Sequence, residues 1–367
     1  MTAMASHRPL GATELARGLL VNRRRPELES IARETDPERF IWRVLPHAAR
    51  SFAASIAVLP PDQARAAAVA YLYCRMLDTY EDLIDDPAVS ISQLRRFAAR
   101  FDLDEMSPPP AISPERARDD RDLVYLLLIS RCELVDGVFA ALSPEVRQRI
   151  RELVQEMAEG MAWSTEAFSR QGGVLLDEDQ LALYCRHVIG HPAMFVVQLI
   201  GVREVTEPIR EDTLLASEMI QLANVSRDIE LDLARGIAYH PALKPHLGRT
   251  GYERETAPVV REVRQEFMLT AMSRAPAYRR LFEGLGLRRN TSVRTAAVLM
   301  LLFTDLHYRS CAVRTGHQPW PGPRGRLQVV AEAVSALVSP RRSSQIVRRV
   351  ERNFRSAAAG LSPVNRA

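Results

Sequence analysis

Apolar side chains recur at intervals of three and four residues along most of this chain, and alternating runs typical of strands are nearly absent. That spacing places apolar residues on one face of an α-helix. We therefore predict an all-α protein. The pattern predicts helices over roughly 38–59, 62–85, 117–141, 143–169, 178–202, 209–236, 254–284 and 290–315, with a C-terminal pair after Pro319.

Breaks in the pattern divide the chain into three parts. Residues 1–35 are Arg-rich and poorly patterned, which predicts a flexible lead. Residues 36–318 show no internal repeat and are predicted to form one helical domain. Residues 319–367 are predicted to form a basic, amphipathic helical extension. Such a helix either lies on an anionic membrane surface or packs back onto the bundle, and both alternatives stay open here.

Composition narrows the class of protein. The chain has 367 residues with 47% hydrophobic content, enough for a sizeable core, and its formal charge of +4 is spread along the sequence. We therefore predict no nucleic-acid partner. The four cysteines are scattered without a C-x-x-C pair, and no apolar leader with a cleavage site begins the chain. These features predict buried thiols and a cytoplasmic location, with contact at the inner membrane leaflet as one alternative.

Two carboxylate stripes carry the candidate chemistry. Tyr71, Arg75, Asp78 and Asp82 follow at intervals of four, three and four. Residues so spaced share one helix face, so like charges accumulate there. A multivalent cation relieves that repulsion, and Mg²⁺ prefers carboxylate oxygens. An acidic helix end exposed to solvent before Pro87 is the structural alternative.

The second stripe comprises Gln221, Asn224, Asp228 and Asp232, with Arg227 beside it. Amide and carboxylate oxygens together form a ligand set for Mg²⁺, with Mn²⁺ as an alternative ion. Two such faces, each with an arginine, would bracket a diphosphate, because the metal and the guanidinium groups both bind phosphate oxygens.

These residues resemble the signatures of the squalene/phytoene synthase family. Tyr71-x-x-x-Arg75-x-x-Asp78-x-x-x-Asp82 matches one aspartate-rich signature, and Gln221-x-x-Asn224-x-x-Arg227-Asp228-x-x-x-Asp232 matches the other. Arg50-Ser51-Phe52 and Tyr184-Cys185, followed by Val188 and Gly190, match further elements. The resemblance covers about residues 40–310.

The resemblance implies an isoprenoid synthase helical bundle with a central cavity between two facing Asp-rich helices. It implies Mg²⁺-dependent ionisation of an allylic prenyl diphosphate and transfer of the prenyl cation. Candidate catalytic residues are Tyr71, Arg75, Tyr184 and Arg227; candidate substrate-binding residues are Ser51, Phe52, Arg75, Gln221, Asn224, Arg227 and His191; candidate metal ligands are Asp78, Asp82, Asn224, Asp228 and Asp232. For Phe52 and Tyr184, ordinary core packing is the alternative.

Two stretches depart from the family pattern. Ile189, His191 and Pro192 stand where the family usually has small residues, and the run 236–241 differs from the usual loop after the second signature. His191 is interpreted either as a polar group facing the substrate or as a histidine satisfied at a proline-associated kink.

Two reactions are consistent with these residues. The resemblance favours head-to-head condensation of two prenyl diphosphates through a cyclopropyl diphosphate intermediate, with the need for NADPH left open. The altered stretch around His191 motivates the alternative, transfer to a small non-isoprenoid acceptor such as an aromatic ring. A third interpretation is an inactive helical scaffold, in which both carboxylate stripes would be solvent-exposed surface without a catalytic role.

Overall fold

The computed structural model describes residues 26–102, 106–201, 205–249, 256–286, 290–318, 320–322 and 325–361. Within these ranges every element of regular secondary structure is a helix, and one isolated β-bridge joins Val174 to Ala238. The prediction of an all-α fold is confirmed.

The helices follow one another with short connections. Their bounds are α1 (Leu28–Ala32), α2 (Pro37–Ala49), α3 (Ser51–Ala57), α4 (Pro61–Leu83), α5 (Pro87–Ala99), α6 (Asp120–Ser130), α7 (Cys132–Ala140), α8 (Pro144–Gln171), α9 (Glu178–Cys185), α10 (His191–Leu199), α11 (Glu207–Ala234), α12 (Thr256–Ser273), α13 (Ala275–Gly284), α14 (Thr291–Arg314), α15 (Arg326–Val338) and α16 (Pro340–Leu361). A π-helical turn at Arg186–Gly190 joins α9 to α10, and 3₁₀ turns occupy Arg100–Asp102, Pro114–Arg116 and Pro241–His246.

Local sequence explains where many helices begin. The Asp36 side chain accepts a hydrogen bond from the Arg39 amide at 2.8 Å, and Pro37 takes the first helical position. Asp177 caps α9 in the same way, through the Gln180 amide at 2.8 Å. Each cap satisfies an amide that has no partner within its own helix.

Four predicted helices are interrupted in the structure, and one of them, 117–141, breaks at Arg131 between α6 and α7. The predicted helix 38–59 breaks at Arg50, whose φ of 52° and ψ of −114° lie outside the helical region. The segment 254–284 breaks near Arg274, and the segment 178–202 contains the π turn. Periodicity does not report such breaks, because both halves keep apolar residues facing the same core. The break at Arg50 redirects the chain so that α3 packs on α14.

Helix α14 lies at the centre of the bundle and contacts α3, α11, α12, α15 and α16. By length and composition it is apolar enough to cross a membrane, but 67% of its apolar window is buried inside the protein. The Tyr308 hydroxyl donates to the Met219 carbonyl of α11 at 2.6 Å. Helix α14 is thus a core helix of the bundle.

The C-terminal helices dock on the rest of the protein. Ile346, Val347, Val350 and Phe354 form the apolar face of α16, and all four are buried. This face is therefore occupied by packing against the protein rather than turned outward. At the other end of the described chain, α1 buries Ile31, while residues 1–25 of the predicted lead lie outside the described ranges.

Candidate active site

The last turns of α4 and α11 bring carboxylates together. Asp82 and Arg235, which follows α11, form an ion pair with Oδ1 and Nη1 3.3 Å apart. Asp82 of α4 thereby comes near Asp232 of α11, and the two carboxylates repel each other. The carbonyl ends of helices carry partial negative charge, so carboxylates placed there lack the stabilisation that cations would receive.

Electrostatic crowding changes the protonation of these groups. Burial, followed by repulsion from Asp82 and Asp78, raises the pKa of Glu81 to about 8. Burial and repulsion from Asp228 raise the pKa of Asp232 to about 7. Burial raises that of Asp78 to about 6, against the opposing effect of Arg75. The site therefore holds more carboxylate than its surroundings keep ionised, and bound positive charge would relieve this.

Arginines engage the same carboxylates. Arg75 lies 3.1 Å from Asp78, donates to the Tyr71 hydroxyl at 3.1 Å and stacks over the Tyr125 ring, 5.0 Å from its centroid. Arg227 pairs with its neighbour Asp228, with Nε and Oδ1 2.8 Å apart. Each of these two guanidinium groups is thus held by a carboxylate of its own helix.

The donor set fits a hard divalent cation in its chemistry. Only oxygen ligands are contributed by the aspartates and by Asn224, as Mg²⁺ prefers. Among the described residues, no three carboxylate, imidazole or thiol side chains converge closely enough to hold a metal by themselves. Mg²⁺ sites that use one or two carboxylates plus substrate phosphate oxygens match this arrangement, so the protein and a diphosphate would share the ion.

A cluster of cations faces the carboxylates. Desolvation, followed by repulsion from Arg121 and Arg227, lowers the pKa of Arg50. His307 of α14 lies beside these arginines as a neutral imidazole, because burial and repulsion from Arg227 and Arg50 lower its pKa to about 4. Arg121 and His307 were not found from the sequence, since they lie on α6 and α14, outside both stripes. Adjacent arginines with few acidic partners form a site for a multiply charged anion.

Hydrogen-bonded aromatic side chains lie next to the acids. The hydroxyls of Tyr184 and Tyr239 are 3.1 Å apart, and Gln221 Nε2 lies 3.5 Å from the Tyr184 hydroxyl. Asn224 donates to Gln221 at 3.1 Å, which links these tyrosines to the second stripe. Burial and the nearby Glu81 raise the pKa of Tyr184, so the phenol stays protonated.

Comparison with known protein families gives one match. The model of the squalene/phytoene synthase family matches residues 45–313, well over half of the chain. The chain belongs to the squalene/phytoene synthase family.

Individual relatives are distant. The squalene synthase of Eremothecium gossypii is 30% identical over 209 residues, covering 54% of this chain and 45% of that protein. The squalene synthase of Bos taurus is 28% identical over 204 residues, covering 54% of this chain and 45% of that protein. The chain therefore spans about half the length of the curated relatives it matches.

A solved structure of TcSQS in complex with the ligand BPH1237 superposes with a TM-score of 0.66 at 17% identity, over 90% of this chain and 94% of that one. At this identity the superposition shows the fold alone. The isoprenoid synthase type of helical bundle expected from the sequence is thus confirmed.

The remaining family-signature residues occupy distinct places. Phe52 of α3 packs against Tyr71, with ring centroids 5.7 Å apart, which joins the first signature to α4. The backbone of Ser51 begins α3, while its side chain lies outside the described features. Both rings flank the Arg75 end of the site.

His191, at the altered stretch, makes other contacts. Its Nδ1 lies 2.8 Å from Glu156 of α8, and its Nε2 lies 3.2 Å from Nδ1 of His187. The two imidazoles are stacked, with centroids 5.4 Å apart. These described contacts join the π turn to α8 rather than to either carboxylate stripe. Substrate binding by His191 stays a prediction.

Proposed function

We propose that this protein is a Mg²⁺-dependent prenyltransferase that joins two prenyl diphosphates head to head. The observation that carries the proposal is the meeting of two carboxylate-bearing helix ends, on α4 and α11, beside a cluster of arginines. Family membership supports the reaction class, and the similar curated proteins are named squalene synthases.

The arginines would receive the diphosphate. Arg50, Arg121 and Arg227 repel one another, so a diphosphate of several negative charges is stabilised among them. Arg75 and Arg227 now pair with Asp78 and Asp228. Donation by these arginines to phosphate oxygens would free the carboxylates for metal binding, which couples binding of anion and cation.

The metal would be held by the two stripes. Asp78 and Asp82 on α4, and Asn224, Asp228 and Asp232 on α11, are the candidate ligands. When bound, Mg²⁺ supplies positive charge to diphosphate oxygens and so improves the leaving group. The raised pKa values of Asp78 and Asp232 mean that the site takes up the ion more readily as pH rises, because only ionised carboxylates bind it.

The prenyl groups would react beside the aromatic side chains. The C1–O bond of the donor breaks, and its electron pair leaves with the diphosphate. The double bond of the second prenyl diphosphate then forms a bond to C1, and loss of one proton closes the cyclopropane ring. The faces of Tyr71, Phe52 and Tyr184 stabilise allylic positive charge as aromatic rings do other cations. The Tyr184–Tyr239 pair offers protonated hydroxyls for hydrogen bonding.

The acceptor is proposed to be a second prenyl diphosphate. Family membership does not favour the alternative, a non-isoprenoid acceptor near His191. Product analysis separates the two. Purified protein incubated with Mg²⁺ and allylic prenyl diphosphates should yield a dimerised product by mass spectrometry, and adding NADPH distinguishes a reduced, squalene-like product from a phytoene-like one. Diphosphate release without any dimerised product would refute head-to-head condensation.

Variants on one helix test the site. Asp78→Ala should slow diphosphate release by about 100-fold or more, since a metal supplies several kcal/mol of charge stabilisation. Asp62→Ala is the matched control, because Asp62 is an exposed acid in the first turn of the same helix. The assignment fails if both variants release diphosphate at the wild-type rate.

A further inference from the structure

Two histidines face each other at the π turn. His187 lies within the turn, and His191, four positions later, is the first residue of α10. Two imidazoles at this spacing lie on one side of a helix, which is the arrangement that many zinc sites use. His191 stands where the squalene/phytoene synthase family usually has a small residue, so family membership does not account for the pair.

The distance between the two rings suits chelation. Nδ1 of His187 and Nε2 of His191 are 3.2 Å apart. Zn²⁺ binds imidazole nitrogens at about 2.0–2.1 Å, so two such ligands at the tetrahedral angle lie roughly 3.3–3.4 Å apart. The last side-chain torsion of histidine is broad, so both rings can turn toward one ion without a change in the backbone.

Glu156 of α8 orients one of the two rings. Its Oε2 lies 2.8 Å from Nδ1 of His191. A hydrogen bond from Nδ1–H to this carboxylate leaves the lone pair of His191 on Nε2, the nitrogen that faces His187. Metal-binding histidines usually donate their other N–H to a carboxylate in this way, which fixes the tautomer and makes the ring a better ligand.

His187 is available as a neutral ligand. Burial, followed by repulsion from His191, lowers the pKa of His187. When Nδ1 of this neutral ring binds an ion, its one ring proton resides on Nε2. Binding therefore requires a change of tautomer but no loss of a proton from the protein.

The histidine pair lies apart from the carboxylate stripes. The Ser164 hydroxyl of α8 forms a hydrogen bond of 2.9 Å with Glu81, beside those stripes. Glu156 precedes Ser164 by eight residues, which corresponds to about 12 Å along the helix. In the part of the chain that the structure describes, no group of three carboxylate, imidazole or thiol side chains could hold a metal ion. The two imidazoles would thus supply two positions, and water the others.

We propose that His187 and His191 bind a divalent transition-metal ion, Zn²⁺ or Cu²⁺, which holds the π turn to the start of α10. Imidazole nitrogen suits these ions, whereas Mg²⁺ prefers oxygen, so the histidine pair and the carboxylate stripes would select different metals. Cu²⁺ should bind more tightly than Zn²⁺, as it does at most nitrogen sites. The proposal is independent of the reaction proposed above.

Isothermal titration calorimetry of the chelator-treated full chain tests the site, with excess Mg²⁺ present to compete for the carboxylates. We expect one Zn²⁺ per chain to depend on both histidines. Glu156→Gln should lower the affinity about tenfold, because the orienting carboxylate is lost. His187→Gln and His191→Gln should each lower it at least about 100-fold, since losing a ligand costs more than losing its outer partner.

Trp163 of α8 reports where the ion binds. Its ring centroid lies 5.6 Å from that of His187. Cu²⁺ bound by the histidine pair should therefore quench the fluorescence of this tryptophan, with the same midpoint as the calorimetric binding. Trp163→Phe should remove that quenching without a matching loss of affinity.

His240→Gln is the matched control. Nε2 of His240 lies 3.4 Å from Glu266, and its Nδ1 accepts a hydrogen bond from the Ala242 amide at 3.2 Å. Because both of its nitrogens are engaged, the control should bind Zn²⁺ within about twofold of wild type. Circular dichroism checks that every variant is folded. Zn²⁺ at about 100 times its Kd should raise the Tm of the wild type by about 3 °C and leave that of His191→Gln unchanged.

Three results would overturn the proposal. The first is a wild-type protein that binds neither Zn²⁺ nor Cu²⁺. The second is equal affinity in the wild type, His187→Gln and His191→Gln, which would mean an adventitious ion only, held elsewhere on the chain. The third is Cu²⁺ binding that leaves the fluorescence of Trp163 unchanged, which would place the ion away from the histidine pair.

Discussion

Gly160 permits the close approach of α8 to the π turn. A methyl group added there would lie 2.4 Å from Cγ of His187 and 2.5 Å from its Cβ and Nδ1. Ordinary carbon contacts are about 3.5–4.0 Å, so α8 and the turn would have to separate by about 1 Å. A change of His187 rotamer gives no relief, because its Cβ is fixed to the backbone.

The cost of Gly160→Ala follows from two opposing effects. Overpacking costs about 1–3 kcal/mol, and the higher helix propensity of alanine returns at most about 1 kcal/mol. Because Cβ of His187 is attached to the main chain and cannot turn away, we expect the free energy of unfolding to fall by about 2 kcal/mol in total. At about 2.1 cal/mol/K per residue, the unfolding entropy of this chain converts that loss to a fall in Tm of about 3 °C.

Thermal unfolding by circular dichroism measures the effect, and Gly284→Ala is its control. Gly284 ends α13, and a methyl group there would meet nothing within 4 Å, so its Tm should stay level or rise slightly. Tyr184 lies two residues before the π turn, so Gly160→Ala should also slow diphosphate release. A Gly160→Ala protein with wild-type Tm and wild-type activity would refute the reasoning.

Three further predictions concern charged groups. The folded-state pKa of Glu81 is raised from 4.5 to about 8, so its contribution to stability is present below about pH 4.5 and is lost as pH rises through about 8. The Tm of the metal-free Glu81→Gln variant should therefore fall less than the Tm of the wild type when the pH is raised from about 5 to about 8. Parallel Tm profiles of the two proteins would contradict this. Asp305→Ala should lower the free energy of unfolding in urea by about 3–5 kcal/mol, because it leaves the buried charge of Arg309 without its carboxylate partner. A decrease below about 1 kcal/mol would contradict this prediction. Arg121→Gln should raise the inhibition constant of inorganic diphosphate about tenfold, whereas the control Arg96→Gln should leave it unchanged. Equal inhibition constants for the two variants would show that Arg121 does not bind the anion.

The sequence predicted the helices well because apolar periodicity records which face is buried. It did not predict the break at Arg50 or the π turn. Both depend on contacts between distant segments, as the approach of His187 to Gly160 illustrates. The residues around each interruption keep good helical periodicity, so the local pattern contains no sign of it.

In the candidate site too, some residues could be predicted from a local pattern, and others depend on the packing of distant segments. Asp78 and Asp232 could be predicted as candidate ligands because acidic residues four apart on one helix leave a linear pattern. Arg121 and His307 join the site from separate helices, and each is a lone residue in its own segment. Only the packing of those helices reveals them. Glu81 lay within the first acid cluster but off its stripe, so its shared environment became clear only with Asp232 nearby.

The bridge between Val174 and Ala238 has a consequence for how this protein can evolve. Main-chain bonds join the two segments, from the Leu175 amide to the Ala238 carbonyl at 3.0 Å and from the Ala238 amide to the Gly173 carbonyl at 2.8 Å. Because these bonds use no side chain, substitutions on either side of Tyr239, at residues 237, 240 and 241, can accumulate without displacing Tyr239 from Tyr184. The side chains in this loop can therefore change during evolution, while the main-chain hydrogen bonds that hold the loop in place are kept.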